Sequence, residues 1–457
     1  MIVSQGAAMV FDRGIRVASI PSVVLALVLT FASANASAAV TLLRDADIEY
    51  ALGQMAAPIL RAAGLSPTRV RVLVVNDSSL NAFVVDNQTI YLHSGLIQKV
   101  PSARALQAVI AHEAAHISNG HIARRMTNLR SARTAAGLGL ALAIIAAAAG
   151  GGEAAGGIAA GTSSSALRNF LKHTRAEEAA ADRSAANYMR RAGVNPRGLI
   201  ELHQLFRGQE ILSVSRQDPY TRSHPLTTDR IRAAQAFVAS YGDDVSANPT
   251  ADYWFARAQG KLTAFTRSPK WTMRRAGEEP FEDVRLMREA VAHHKLRDLN
   301  KSLNALNGAI ALRPQDAFLY DLKGQILIEN RQLPAALKAY ERAVEIAPRN
   351  SLVQGGYGRA LLAAGQPKAA LTALETARSR DFRDARVMRD MAQAYAQTGQ
   401  DGMAAMVTAE RYALHGRMED AGRQAQRAIG QLPRGSAAWQ RAQDVLSAAE
   451  KAQKRRK

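Results

Sequence analysis

The chain has 457 residues, a formal net charge of +20 and no cysteine. This length exceeds what one ordinary hydrophobic core organises, which predicts two domains. The lack of cysteine excludes disulfides, thiolate metal ligands and cysteine nucleophiles. The basic residues are spread over both halves, and we find no helix-turn-helix, zinc-finger or RNA-binding signature. The charge therefore fits acidic proteins or peripheral contact with an anionic membrane surface, and nucleic acid is not an expected partner.

Residues 1–38 have the pattern of a cleavable export signal. Arg13 and Arg16 precede a short apolar run at 23–34, and small residues of the A-x-A type follow up to Ala38. The alternative is a membrane anchor, but the run is shorter than the roughly 20 apolar residues of a spanning helix. We therefore predict an exported protein with this segment removed.

Residues 39–250 predict a mainly helical domain with a few strands. Apolar residues at helical spacing predict a helix at about 43–65, and Ser102 is a plausible N-cap for another long helix. Strands are predicted at Val70–Val75 and Thr89–His93, and residues 81–85 also have an extended pattern. A separate segment, 135–161, is dominated by Ala and Gly. It is consistent with a lid, a core helix or a membrane-contacting segment.

From about residue 250 the pattern is helical, with an internal repeat. Gly324 and Gly358 are 34 residues apart, as are Pro314 and Pro348. This is the tetratricopeptide period, in which stacked helix pairs form a concave surface for protein segments. The predicted parts are a helical connection at 251–284, a tetratricopeptide α-solenoid at 285–450 and a basic tail at 451–457.

The strongest chemical signal is the sequence His112-Glu113-Ala114-Ala115-His116. Imidazoles at i and i+4 project from one helix face and can bind one ion, while Glu113 beside them can accept a proton from water. A zinc peptidase needs a third ligand, and Glu178 and Asp182 are again at i and i+4 downstream. One of these acids could bind the metal while the other orients a ligating histidine. Glu178 is the leading candidate, and Glu177 is the alternative ligand.

The other histidines are predicted to lie outside the site. His121 is five residues beyond His116, so we predict that it faces away from the motif. We interpret His93, His173 and His203 as polar core or surface residues.

Taken together, the His112–His116 motif, Glu178-x-x-x-Asp182 and Ser223-His224-Pro225 with Arg230 resemble the M48 family of zinc metallopeptidases. With the export signal and the repeats, the chain is similar to the periplasmic β-barrel assembly-enhancing protease group. The resemblance implies a zincin-like domain that binds one zinc ion per chain. The implied site residues are His112, His116 and Glu178 as ligands, Glu113 as the base, Asp182 behind the ligands, and His224 near the metal. Two roles for His224 stay open, as a donor to the developing oxyanion or as an inhibitory fourth ligand.

The resemblance further implies a periplasmic endopeptidase that hydrolyses misfolded or stalled outer-membrane proteins and assists their assembly. The implied partners are such outer-membrane proteins and the β-barrel assembly machinery. The main alternative is a non-catalytic tetratricopeptide chaperone with a structural or latent metal site, although a structural site would not need Glu113. A third interpretation, an integral membrane peptidase, depends on residues 135–161. We also predict that substrate pairs with the strand at 81–85, and that removing residues beyond about 285 spares hydrolysis of short peptides.

Overall fold

The structure is a computed structural model that describes residues 42–124, 173–213, 216–241 and 248–454. The predicted export signal and the segment 135–161 lie outside the described residues. Across the described ranges, no helix combines the length and the apolar character that crossing a bilayer requires.

A small sheet forms one side of the N-terminal domain. Its strands are β1 (Leu42–Leu43), β2 (Arg71–Val75), β3 (Ala82–Val84) and β4 (Thr89–His93). The spatial order is β1-β2-β4-β3, with β2 and β4 parallel and both outer pairs antiparallel. The central strands β2 and β4 are almost fully buried, in keeping with their runs of apolar residues. Strand β3, from the segment predicted to receive substrate, lies at one edge of this sheet.

Helices pack around the sheet, and one of them forms the centre of the domain. In chain order they are α1 (Ala46–Ala62), α2 (Ser94–Lys99), α3 (Ala103–Ser118), α4 (Arg175–Arg191), α5 (Arg197–Leu205), α6 (Pro219–Ser223) and α7 (Thr228–Tyr241). Helix α3 contacts α1, α4, α5 and β3, and nearly all of its residues are buried. It begins at the predicted cap, where Ser102 Oγ accepts the N–H of Ala105 at 3.1 Å. The histidine motif is therefore held on a rigid central helix.

Glycine permits the close packing of α5 on α3. A Cβ atom at Gly198 would lie 2.2 Å from the carbonyl oxygen of Arg104. Since real Cβ atoms do not approach an oxygen this closely, any larger residue would push the two helices apart.

The C-terminal part is a series of helix pairs preceded by α8 (Pro249–Thr266) and α9 (Pro269–Ala276). The pairs are α10 (Glu282–Lys295) with α11 (Leu299–Leu312), α12 (Ala317–Glu329) with α13 (Leu333–Ile346), α14 (Ser351–Ala363) with α15 (Pro367–Arg380), α16 (Ala385–Gln397) with α17 (Asp401–Leu414), and α18 (Met418–Gln431) with α19 (Ala437–Lys454). Helices α12, α14 and α16 begin 34 residues apart, which confirms the predicted α-solenoid and its period. Helix α19 extends to Lys454, so the described part of the predicted basic tail is helical.

The repeated glycines mark close contacts inside the helix pairs. A Cβ atom at Gly324 would lie 2.4 Å from the ring of Tyr340, and one at Gly358 would lie 2.5 Å from the side chain of Leu374. The 34-residue spacing of these two glycines thus follows from a packing contact that recurs in two consecutive repeats.

Buried ion pairs join the solenoid to the N-terminal domain. Helix α8 contacts both α1 and α10, and its Arg257 side chain is fully buried. The Arg257 guanidinium lies 2.9 Å from Asp47, 2.8 Å from Asp316 and 3.4 Å from Asp283. These partners belong to α1, to the N-cap of α12 and to α10. The segment predicted as a connection is therefore part of both cores. Removal of the solenoid is consequently expected to affect the N-terminal domain as well.

A second contact lies further along the solenoid. The carboxylate of Asp381, in the turn between α15 and α16, lies 2.7 Å from Arg44 and 2.7 Å from Arg71. The backbone oxygen of Arg44 also accepts a hydrogen bond from Arg386 at 2.9 Å. The solenoid thus also contacts the beginning of the N-terminal domain at the turn before α16 and at the start of that helix.

Candidate metal centre

Helix α3 places three polar side chains at the centre of the N-terminal domain. His112, Glu113 and His116 are all buried, with exposures of 1%, 0% and 0%. The Nε2 atoms of His112 and His116 are 3.1 Å apart, as expected for imidazoles one helical turn apart.

Helix α4 brings a carboxylate to these imidazoles. A capping box fixes its start, because Thr174 Oγ1 accepts the N–H of Glu177 while Glu177 Oε2 accepts the N–H of Thr174. The Glu177 carboxylate is thereby directed to the helix end. Glu178, which is fully buried, has its two carboxylate oxygens 3.4 Å from His112 Nε2 and 3.4 Å from His116 Nε2. The structure therefore brings Glu178, and not Glu177, to the two histidines.

His224, the residue that directly follows α6, is the fourth member of the group. Its Nδ1 atom is 3.3 Å from His112 Nε2 and 3.0 Å from Glu178 Oε1. Its backbone N–H donates to the carbonyl of Tyr220 at 2.8 Å, and the two rings lie 4.6 Å apart. His112, His116, Glu178 and His224 thus offer four ligand atoms within 4.8 Å of one another.

These four groups fit a zinc ion. Zinc takes nitrogen and oxygen ligands at about 2.0–2.2 Å, so ligands at the corners of a tetrahedron would be about 3.4 Å apart. The ligand atoms given above are separated by 3.0–3.4 Å, close to that value. In addition, both oxygens of Glu113 and Nε2 of His224 have no hydrogen-bond partner among the described residues. Buried polar atoms of this kind are costly unless a ligand or water satisfies them.

Two further side chains, Asp182 and Arg230, contact the candidate ligands on the side away from the cluster. Asp182 Oδ1 lies 3.0 Å from His112 Nδ1, on the opposite edge of the ring from the cluster. Arg230 donates to both oxygens of Asp182, at 2.5 and 2.8 Å, and its Nη1 lies 2.7 Å from Glu178 Oε2. The sequence presents Arg230 only as part of the resemblance, and its central position was missed. The available signal was its closeness in the chain to His224, six residues before it.

Comparison with known proteins agrees with this geometry. Residues 43–238 match the family model described as Peptidase family M48, and residues 327–389 match that of a tetratricopeptide repeat. The chain contains an M48 peptidase domain followed by tetratricopeptide repeats. The fold class predicted from sequence is thereby confirmed.

Relatives of the M48 domain and the repeats are distant. The Beta-barrel assembly-enhancing protease of Yersinia pestis is 24% identical over 277 residues, covering 58% of this chain and 54% of the relative. That of Escherichia coli K12 is 23% identical, covering 42% and 39% respectively. A Vibrio cholerae relative is 30% identical over 41% of this chain and 38% of its own length. The alignments thus span between about two fifths and just over half of each relative.

Among solved structures, a thermophilic TPR protein of Thermus thermophilus aligns with 43% of this chain and 94% of its own length. The identity is 17% and the TM-score is 0.27.

The prediction for His121 was wrong. Its Nδ1 atom lies 2.9 Å from Nδ1 of His116, and its side chain is buried. The five-residue spacing would point it away only on a continuous helix. Helix α3 of the M48 domain instead ends at Ser118, and Gly120, with φ 69°, turns the chain back toward His116.

The remaining histidines differ in position. His173 is buried and its ring centroid lies 3.6 Å from that of His116, so it belongs to the surroundings of the metal centre. His93 on β4 and His203 on α5 are buried, which is consistent with their interpretation as polar core or surface residues. His93 Nδ1 lies 3.0 Å from Ser79 Oγ, and burial lowers the pKa of His203 to about 4.

The charges of the M48 centre are strongly coupled. Burial by itself would raise the pKa of Glu178, but the imidazoles of His224 and His112 hold it well below its usual range. Burial lowers the pKa of His116 well below its usual value, which favours the neutral form that binds metals. For His112, burial is outweighed by Glu178 and Asp182, which raise its pKa to about 10. A metal ion bound at Nε2 of His112 would therefore have to displace a proton, so that protons and the ion would compete for this nitrogen.

The pKa of Glu113 is shifted in the opposite direction from that of Glu178. Burial raises its pKa, and the nearby imidazoles of His224 and His112 only partly offset this effect. Its Oε1 lies 3.5 Å from His224 Nε2. A carboxylate with a raised pKa beside a metal centre is suited to accepting and returning a proton near neutral pH.

Proposed function

We propose that this chain is a periplasmic zinc-dependent endopeptidase that hydrolyses misfolded or stalled outer-membrane proteins and assists their assembly. The observation that carries the proposal is the convergence of His112, His116 and Glu178 at the buried centre of an M48 domain, with the buried Glu113 beside them. The pattern of an export signal supports the compartment. The names of the Yersinia pestis and Escherichia coli relatives support the outer-membrane substrates and the assembly machinery as a partner.

In this proposal His112, His116 and Glu178 hold one zinc ion per chain. When bound, zinc polarises the scissile carbonyl and lowers the pKa of water. Glu113 accepts the proton of the attacking water and delivers it to the leaving amine. Asp182 accepts a hydrogen bond from Nδ1 of His112, so that Nε2 of that ring presents its lone pair to the metal. Arg230 holds Asp182 and Glu178 in these positions.

Substrate is proposed to bind along strand β3. This strand lies at an edge of the sheet and contacts α3, which carries the histidine motif. Main-chain hydrogen bonds to a sheet edge select extended, unfolded segments over folded ones. Such a requirement suits an enzyme that acts on outer-membrane proteins that have failed to assemble.

His224 is proposed to hold the enzyme idle in the conformation described. Its Nδ1 atom occupies the fourth position of the ligand group, which hydrolysis requires for water and substrate. This placement favours the inhibitory role over that of an oxyanion donor. Release of the α6 segment would then open the site.

The proposal is tested with the mature chain, residues 39–457, and an unfolded outer-membrane β-barrel protein as substrate. Parent, Glu113→Gln and His224→Ala are compared for zinc content and for the rate of cleavage. We expect about one zinc per chain in the parent and in Glu113→Gln, with cleavage reduced at least about 100-fold in Glu113→Gln. We expect His224→Ala to keep zinc and to cleave faster than the parent.

Other outcomes separate the alternatives. Absence of zinc from the parent, or equal cleavage by Glu113→Gln, would refute the peptidase and leave the tetratricopeptide chaperone. Loss of cleavage in His224→Ala with zinc retained would assign His224 the oxyanion role instead.

A further inference from the structure

His121 contacts the proposed zinc ligand His116 at Nδ1, the ring nitrogen of His116 that does not face the metal centre. The contact joins Nδ1 of His121 and Nδ1 of His116 at 2.9 Å, and both rings are buried. We infer that His121 is a positioning residue, which fixes the tautomer and orientation of His116 so that its Nε2 atom faces the metal. The inference rests on the proposed function only in taking His116 as a zinc ligand.

The assignment follows from the hydrogen-bonding capacity of imidazole. A neutral ring has one N–H donor and one nitrogen acceptor, so two Nδ1 atoms at 2.9 Å must be one donor and one acceptor. Nε2 of His116 faces Nε2 of His112 and the Glu178 carboxylate, and it needs a free lone pair to bind metal. The proton of His116 must then lie on Nδ1 and be donated to His121. His121 in turn carries its own proton on Nε2.

The two histidines of the motif are thus supported in parallel ways. Asp182 contacts Nδ1 of His112, whereas His121 contacts Nδ1 of His116. Groups behind metal-binding histidines orient the ring and strengthen its basicity, and their loss commonly weakens metal binding by about 10–100-fold.

The turn that carries His121 is anchored to the helix that supplies Glu178. Ser118 Oγ lies 2.9 Å from Tyr188 Oη, and Ser184 Oγ donates to Asn119 Oδ1 at 3.2 Å. Tyr188 and Ser184 both belong to α4. The two residues that precede the reversal at Gly120 are therefore anchored to α4, which gives His121 a defined position relative to His116 and Glu178.

A second metal ion is the competing explanation for the same residues. His116, His121 and His173 offer ring nitrogens within 4.8 Å of one another. An ion bound there through Nδ1 of His116, together with zinc at Nε2, would require the imidazole to lose both ring protons. A hydrogen bond accounts for the 2.9 Å contact with a neutral ring, so we prefer the positioning role.

The test measures zinc affinity of the mature chain by competition with a chromophoric chelator. In His121→Asn, the side-chain oxygen can accept a hydrogen bond near the place of Nδ1, whereas His121→Leu has no acceptor. We expect His121→Leu to weaken zinc binding about 10–100-fold and His121→Asn to restore most of the affinity. Thermal unfolding of both zinc-free variants checks that the fold is intact.

The matched controls are His93→Asn and His93→Leu. His93 is also a buried histidine whose Nδ1 contacts a neighbour, Ser79 Oγ, at 3.0 Å. Because it lies on β4 and is not one of the grouped ligand atoms, we expect parental zinc affinity in both controls.

The outcomes distinguish this inference from the proposed function. Parental affinity in His121→Leu, or equal losses in His121→Leu and His121→Asn, overturns the positioning role. Two zinc ions per parent chain and one in the His121 variants would also overturn it, since His121 would then be a ligand. If the parent and His224→Ala both bind zinc and neither cleaves, only the peptidase is refuted, whereas a parent that binds no zinc refutes both.

Discussion

Arg257→Met is predicted to destabilise the whole chain, because it removes the positive charge at the junction of the N-terminal domain and the solenoid. Arg257 is fully buried among the carboxylates of Asp47, Asp283 and Asp316. Methionine is apolar and unbranched and replaces the aliphatic stem of arginine, so the substitution leaves less empty space than alanine would. Its main effect is to leave buried carboxylates without their partner.

The magnitude can be worked out from the remaining contacts. Breaking a buried ion pair by removing one partner costs about 3–5 kcal/mol. Two of the three carboxylates keep another cation, since Lys261 lies 3.6 Å from Asp47 and Arg313 lies 2.6 Å from Asp283. Asp316 keeps its cap hydrogen bonds to α12 but loses the guanidinium. We therefore expect the lower end of the range, a loss of about 3 kcal/mol in the free energy of unfolding.

The assay is urea unfolding of the mature chain, followed by circular dichroism. The control is Arg285→Met on helix α10, which removes a more exposed arginine paired with Glu282 and Glu289 on its own helix. Exposed pairs of this kind contribute about 0–1 kcal/mol. A loss below about 1 kcal/mol for Arg257→Met, or one equal to that of Arg285→Met, would show that the buried network does not join the two parts.

The ion pairs between the solenoid and the N-terminal domain also predict the effect of deleting the solenoid. A chain truncated after residue 284 lacks Asp316 and Asp381, so it leaves Arg257 and Arg44 with fewer buried partners. We now expect such a chain to lose stability together with hydrolysis of short peptides. Undiminished hydrolysis by a stably folded truncated chain would contradict this expectation.

Two further predictions concern pH and packing. Burial would raise the pKa of Asp381, but Arg44 and Arg71 outweigh it and hold this pKa below its usual value. Its ion pairs therefore stabilise the fold above pH of about 4 and lose their effect as the pH falls through the lower folded-state pKa. Asp381→Asn should thus cost about 1–3 kcal/mol at pH 7 and progressively less below pH 4 in urea unfolding, and a constant difference down to pH 2 would contradict this. Gly198→Ala should destabilise by about 1–3 kcal/mol because its Cβ meets the Arg104 carbonyl oxygen at 2.2 Å. The control Gly53→Ala, with no neighbour within 4 Å, should be neutral or stabilising, and equal effects at the two sites would refute the packing argument.

Features encoded by neighbouring residues were predictable from the sequence. The spacing of His112 and His116 places both rings on one face of any helix, and Ser102 marks where that helix begins. The 34-residue period gives the helix pairs of the solenoid, because each repeat carries its own turn and packing residues. These features depend on helical geometry within a few turns of the chain.

Errors arose where the local pattern changed. His121 was assigned to another face on the assumption of an unbroken helix, whereas the helix ends at Ser118. Gly120 is the local signal for this helix end, because its positive φ is the conformation in which glycine most often ends a helix.

The sequence by itself therefore determined the helical fold class, the repeat period and the pair of imidazoles with their adjacent carboxylate. The tertiary structure decided how these parts meet. It brought His224, 46 residues after Glu178, into the group of candidate metal ligands and placed Arg230 between Glu178 and Asp182. It also buried Arg257 against Asp47, which is 210 residues away in the chain. Such contacts depend on how helices pack in three dimensions, and no periodicity along the chain encodes them.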